Sequence, residues 1–168
     1  MSRVRSATLA HEDGRFVATT GTGRTITYGA DAAADELSPV ETVLVSLAAC
    51  SAMDVASITA KKRQVITAYR IDVEGEQRDA YPQVYTSITV THTVEGPGVD
   101  VAAVRRAIEL SATKYCPVNA MLSAGATTVH HRFRVRNTGP EPFETEGEAA
   151  VTGPYRRPDA IERSSGGQ

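Results

Sequence analysis

Cysteine is scarce in this chain. Its 168 residues carry two, Cys50 and Cys116, and they stand 66 positions apart. That spacing is neither Cys-x-x-Cys nor a zinc-knuckle pattern. An excess of charge of one sign is also missing. Eighteen Lys and Arg against twenty Asp and Glu leave a net charge of −2, which excludes a strongly basic face for nucleic acid or for an anionic membrane surface. Residues Met1-Ser-Arg-Val-Arg-Ser-Ala-Thr8 contain no apolar run, so no secretory signal is expected. With two cysteines and no such signal, the expectation is a reducing cytoplasm, where thiols stay free unless they cycle catalytically. Histidine is also sparse, with four residues. His130 and His131 are strand neighbours whose side chains point to opposite faces and cannot share a metal, and His92 and His131 read as inward-facing, satisfied core residues. Gly21-Thr-Gly23 is too short for a phosphate cradle and reads as a turn. No metal site, no cofactor site and no internal repeat is expected.

What is present is a clear change of periodicity. Arg3 to Ala10, Arg15 to Thr20 and Arg24 to Tyr28 read as short strands divided by Glu-Asp-Gly and Gly-Thr-Gly, a small antiparallel sheet. From Ser38 the pattern turns helical: Ser38 as N-cap, Pro39 as first helical residue and Glu41 three positions after the cap form a capping box, and the helix runs to about Arg63. Thr42 to Ala60 holds one charge, Asp54, and its length invites comparison with a membrane span. Its Ser and Thr residues and that aspartate favour a buried helix in a soluble protein instead. Tyr69 to Glu74 and the run carrying Val84, Ile88, Val90 and Val94 on one face read as two long strands. Asp100 caps a second helix with Val101, Val104, Ile108 and Ser111 inward, and a third helix opens at Pro117 and ends before Gly125. Thr127 to Arg136 reads as the last strand, with Val129, His131, Phe133 and Val135 inward and His130, Arg132, Arg134 and Arg136 on a solvated face. The domain therefore spans 1–136, followed by a weakly packed, flexible Gly/Pro/Glu-rich tail over 137–168.

The helix from Pro39 is apolar or small nearly all round, whereas a helix on a single sheet needs only one apolar stripe. A second copy of the chain is the economical cover for its other face, so a homodimer is expected. The two sulfurs have different settings. Cys50 lies mid-helix, while Pro117 forces Cys116 out of α conformation and makes it the N-cap of the following helix, whose positive end favours a thiolate. Local electrostatics therefore names Cys116 the more acidic thiol. Asp54 shares a helix face with Cys50 and would raise that thiol's pKa if both were buried; accepting a hydrogen bond from a neighbouring element is the preferred reading. The plainer reading of both cysteines is packing, since free cysteine is among the most buried residue types.

Three segments together carry a family likeness: Ser38-Pro-Val-Glu-Thr-Val-Leu-Val-Ser-Leu-Ala-Ala-Cys50, Asp54-Val-Ala-Ser-Ile with Lys62-Arg-Gln, and Lys114-Tyr-Cys-Pro-Val-Asn-Ala-Met-Leu122. Over roughly residues 3 to 136 the chain resembles the OsmC/Ohr family of thiol peroxidases, and Cys-Ser-Ala-Met-Asp and Lys-Tyr-Cys resemble its YhfA branch most. The resemblance implies an α+β, two-layer fold of antiparallel sheets around long central helices, built as an intertwined homodimer. It implies reduction of organic hydroperoxides: Cys50 attacks and becomes a sulfenic acid, Cys116 condenses with it to a disulfide, and an external dithiol, a dihydrolipoyl group or a small thiol restores both. The family also uses a glutamate and an arginine. Glu41 is the glutamate candidate, although Pro39-Val-Glu41 in place of Pro-Glu turns the carboxylate by about 100° around the helix. Arg24 is the first arginine candidate and Arg15 the second, and each reads equally as a plain surface arginine. The alternative function is non-enzymatic, a dimeric protein of the same fold that senses redox state or binds a hydrophobic ligand.

Overall fold

A computed structural model describes residues 4–12, 14–29 and 37–151. Arg3, expected to start the first strand, and residues 152–168 of the expected tail fall outside them. The described residues divide between Val43 and Leu44 into two compact units, where composition had suggested one domain with a tail.

The first unit holds a three-stranded antiparallel sheet, β1 (Ala7–Glu12), β2 (Arg15–Thr20) and β3 (Thr25–Gly29), in sequential order. Gly23, at φ 78° in the β2–β3 turn, takes a left-handed backbone that a side chain would resist, so Gly21-Thr-Gly23 is the turn its composition implied. A hollow of about 530 Å³ opens against Leu9, Phe16, Tyr28, Gly29 and Pro39. The unit ends with the start of helix α1 (Pro39–Lys61). The capping box is formed as read: Ser38 Oγ accepts from the Val40 N–H at 3.3 Å, and Glu41 reaches back to accept from the Ser38 N–H at 3.2 Å.

In the second unit α1 buries one stripe, Leu47, Ser51, Val55 and Thr59, spaced four residues apart. By length and composition α1 would suffice to cross a bilayer, with a mean hydropathy of 1.8, but this stripe packs inside the protein. The helix stops two residues before the expected Arg63. Arg63 adopts φ 57°, and the Gln64 N–H bonds the Thr59 carbonyl at 3.0 Å, a left-handed closure made here without glycine.

A four-stranded sheet follows in the order β4 (Ala68–Gln77), β5 (Tyr85–Gly96), β6 (Thr128–Asn137) and β7 (Phe143–Ala149). It is not wholly antiparallel as the resemblance implied, because β5 and β6 run parallel. A parallel pair needs a crossover, supplied by α2 (Val101–Leu110), a π-helical turn (Ser111–Tyr115) and α3 (Pro117–Ser123). Asp100 caps α2 by accepting from the Ala102 N–H at 2.9 Å. Ile88, Val90 and Val94 face inward as expected, whereas Val84 precedes β5 and is 42% exposed. Residues 143–149, placed by composition in a flexible tail, form β7 instead. Its Gly147 lies opposite Phe133, and a Cβ there would meet the Phe133 ring at 2.8 Å. The core joins Val55 of α1 to Val104, Ala107 and Ile108 of α2 and to Val94, Phe133, Val135 and Ala149 of the sheet.

Candidate functional site

The crossover decides where Cys116 goes. Pro117 holds Cys116 extended, at φ −77° and ψ 104°. The preceding turn is π-helical, with the Cys116 N–H reaching the Ser111 carbonyl at 2.9 Å. Such a turn inserts an extra residue into the helical path, a device common at functional sites. Here it leaves Ser111 facing α1, where its hydroxyl donates to Asp54 Oδ2 at 2.9 Å and lies 3.5 Å from Ser51 Oγ. Asp54 thus has the hydrogen bond from a neighbouring element that its sequence position suggested.

Cys50 and Asp54 lie one helical turn apart and share a face of α1. The Sγ atoms of Cys50 and Cys116 and a carboxylate oxygen of Asp54 all stand within 4.8 Å of one another. Two cysteines distant in sequence are therefore neighbours in space. Cys50 is half-buried and Cys116 is buried. The helix N-terminus does not make Cys116 an acidic thiol. Burial first, and the hydrogen bond to Cys50 second, push the Cys116 thiol up to about 12. The Asn119 N–H donates to Cys116 Sγ at 3.3 Å and pulls the other way, as does the Val118 N–H, without prevailing. A seven-residue helix offers the sulfur little against the loss of water around it.

Behind Cys116 runs a buried polar chain. Asn119 Nδ2 donates to the Ala112 carbonyl at 2.8 Å, so its Oδ1 faces His131 Nε2, 2.9 Å away, as an acceptor. His131 Nε2 must then carry the proton, and in the neutral ring Nδ1 accepts. It accepts from His92 Nε2 at 3.4 Å, and His92 Nδ1 in turn accepts from the Tyr69 hydroxyl at 2.7 Å. The direction is consistent from end to end only if both imidazoles are neutral. Burial, with a smaller push from His131, lowers His92 to about 3. Burial, with a smaller push from His130, lowers His131 to about 4. The pair is satisfied, as read from sequence, but Asn119, which fixes the start of α3 beneath Cys116, is a positioning residue the sequence reading missed. Its place three residues after Cys116, in Cys-Pro-Val-Asn119, was the available signal.

Of the other candidates, Glu41 has its carboxylate engaged in the capping box. Arg24 is exposed in the β2–β3 turn with its backbone N–H on Thr20 Oγ1 at 3.1 Å. Both belong to the first compact unit and the sulfurs to the second, and Arg15, also exposed, lies at the start of β2.

Residues 32–132 match the family model described as OsmC-like protein. Protein YhfA of Escherichia coli is 35% identical over 120 residues, covering 71% of this chain and 89% of that one. Among solved structures, a hypothetical protein from Aquifex aeolicus superposes with a TM-score of 0.68 at 30% identity, covering 80% of this chain and 98% of the other. An organic hydroperoxide resistance protein from Elizabethkingia anophelis superposes with a TM-score of 0.62 at 12% identity, covering 82% and 99%. At that identity the likeness is one of fold.

Proposed function

The chain belongs to the OsmC-like family, and from that membership and the meeting of its two sulfurs we propose that it is a thiol peroxidase acting on organic hydroperoxides. The observation that carries the reading is the approach of Cys50 and Cys116 to within 4.8 Å. In the cycle, the Cys50 thiolate attacks the peroxide oxygen. The O–O bond breaks, an alcohol leaves with one added proton, and Cys50 becomes a sulfenic acid. The Cys116 sulfur then displaces hydroxide from that sulfenic acid, its own proton leaving with the hydroxide as water, and the disulfide forms. An external dithiol, such as a dihydrolipoyl group, reduces it by exchange and leaves oxidised. Burial supports this division of labour: Cys50 is the more open sulfur, and burial favours the protonated form of Cys116. Closing the bond to about 2.05 Å asks the Cys116 segment to move by less than 3 Å.

By family likeness alone, Arg24, with Arg15 as the second candidate, is carried over as the arginine that would activate Cys50. Glu41 is carried over as the glutamate, whose carboxylate serves the capping box here. The protein works as a homodimer in the cytoplasm. Val45 and Met53 of α1 are 55% and 74% exposed in a single chain, an apolar surface that a second copy would cover. A second reading, binding of a hydrophobic ligand without turnover, is favoured by the hollow at Leu9, Phe16 and Tyr28.

A turnover assay with cumene hydroperoxide and a dithiol separates the two. Cys50→Ser is expected to abolish peroxide consumption, because a hydroxyl is no nucleophile near neutral pH. Cys116→Ser is expected to allow a single turnover and to leave a sulfenic acid on Cys50 that dimedone traps. Retained activity in Cys50→Ser with loss in Cys116→Ser would reverse the roles. No consumption by the wild-type chain would leave ligand binding as the function.

A further inference from the structure

The disulfide cycle uses Cys50 and Cys116 but gives no work to the carboxylate beside them. Asp54 brings an oxygen to within 4.8 Å of both sulfurs, and three such groups from two elements are a ligand set. We propose that Cys50, Cys116 and Asp54 bind one zinc ion, or a soft divalent cation such as cadmium in its place, when the cysteines are reduced.

Geometry supports this first. In a tetrahedral zinc centre each thiolate stands about 2.3 Å from the metal, so two of them lie about 3.8 Å apart. Reaching that spacing from 4.8 Å or less is a smaller movement than closing a disulfide at about 2.05 Å. Cys50 and Asp54 project together from successive turns of α1, and Cys116 is aimed at them by its extended backbone between the π-helical turn and α3.

Two of the three ligands already have the outer hydrogen bonds that metal ligands use to hold their orientation. Ser111 Oγ donates to Asp54 Oδ2 at 2.9 Å, and the Asn119 N–H donates to Cys116 Sγ at 3.3 Å. Cys50 and Asp54 are half-buried, which gives the ion a route in and leaves the fourth position to water.

Chemistry selects the ion. Two thiolates reject magnesium and calcium, which take oxygen ligands, and the carboxylate disfavours copper(I), which prefers an all-sulfur set. Zinc accepts both kinds. Binding needs both sulfurs as thiolates, so each sulfur still protonated gives up its proton to the solvent, and three negative ligands around a dication give a site of net charge −1. Thiolates held this way are withdrawn from peroxide, so the ion and the disulfide would exclude each other at one place. The site needs only reduced cysteines and stands whether or not the chain is a peroxidase.

The test uses the full chain, reduced and stripped of metal. Zinc is titrated in competition with a chromophoric chelator, proton release is followed in weak buffer, and cadmium is titrated for its thiolate charge-transfer absorbance. The expected result is one ion per chain, release of at least the Cys116 proton and a cadmium band of two-thiolate intensity. Cys50→Ser and Cys116→Ser should each weaken zinc by about a hundredfold or more, and Asp54→Asn, nearly isosteric, by about tenfold or more. Circular dichroism of Asp54→Asn checks that the fold is retained, and Ser111→Ala, which keeps all three ligands, should weaken zinc by about tenfold. Absence of stoichiometric binding, or an affinity unchanged by either cysteine substitution or by Asp54→Asn, overturns the site. Hydroperoxide consumption is measured on the same metal-free sample. A chain that binds zinc and consumes no peroxide breaks the peroxidase reading alone, and one that consumes peroxide and binds no zinc breaks the metal site alone.

Discussion

The two faces of β6 handle polar groups in opposite ways. Inward, His131 joins His92, Tyr69 and Asn119 in a chain where each atom has one partner and one direction. Outward, Arg132, Arg134 and Arg136 face Glu148, Glu146 and Glu144 of β7 in register, at 3.2, 3.4 and 3.2 Å. Arg136 has a second partner in Glu95 at 2.7 Å. The outward set carries formal charges and the inward set none, yet burial should make the inward set the costlier to disturb. A buried donor without an acceptor forfeits its hydration outright, while an exposed ion pair that breaks is taken up by water. The inward chain also ends on the residue whose backbone holds Cys116, so the face that tolerates least is the one tied to the sulfur site.

The sharpest way to break this contrast is His131→Phe. The substitution fills the space but strands the His92 Nε2–H and Asn119 Oδ1. At about 1–3 kcal/mol for each stranded group, a loss of about 2–6 kcal/mol is expected in urea unfolding. A loss below about 1 kcal/mol would show that the chain is dispensable. Acidification should act on the same groups. Both histidines have folded pKa values below the unfolded value of about 6.5, at about 3 and about 4. Between those values and 6.5 the unfolded chain binds more protons. The stabilisation is therefore complete above pH about 6.5 and is lost as pH falls towards 4, on the order of 3 kcal/mol for His131 alone. Urea midpoints at pH 7 and pH 4.5 measure it. Carboxylates contribute a slope of their own, so the deciding comparison is the double variant His92→Phe/His131→Phe, which should lose part of the pH dependence.

How much of this was legible depended on how local the cause was. The capping box, the extended Cys116 before Pro117 and the inward histidines follow from neighbours in sequence, and each was readable. The acidity of Cys116 was not. Its helix N-terminus is local, but the burial and the Cys50 contact that override it are set by the crossover. The π-helical turn has no sequence mark of its own. β7 was hidden for a related reason. Phe143-Glu-Thr-Glu-Gly-Glu-Ala149 looks like polar tail, because the arginines that make those glutamates favourable lie on another strand and the ring that covers Gly147 belongs to Phe133. The meeting of Cys50 with Cys116 came from family likeness, since residues 66 positions apart carry no local signal of contact.

The smallest expected effect completes the contrast. Arg134 pairs with Glu146 at 3.4 Å and with Glu144 at 3.7 Å, and its side chain is 46% exposed. Arg134→Ala removes both pairs at once and leaves the glutamates in water, where they remain hydrated. The β6–β7 backbone ladder and the Phe133–Gly147 contact are untouched by the change. The expected cost is therefore about 0–1 kcal/mol. It should shrink further in 0.5 M salt, where the screening length falls to roughly 4 Å, comparable with the pair distances themselves. His131→Phe, acting on uncharged groups shielded from solvent, should keep its full cost in the same salt. Paired urea titrations of the two variants at low and high ionic strength provide the measurement. If Arg134→Ala costs as much as His131→Phe, or if both respond equally to salt, the outer ladder rather than the inner chain holds β6 in place, and the link from the histidines to Cys116 loses its energetic basis.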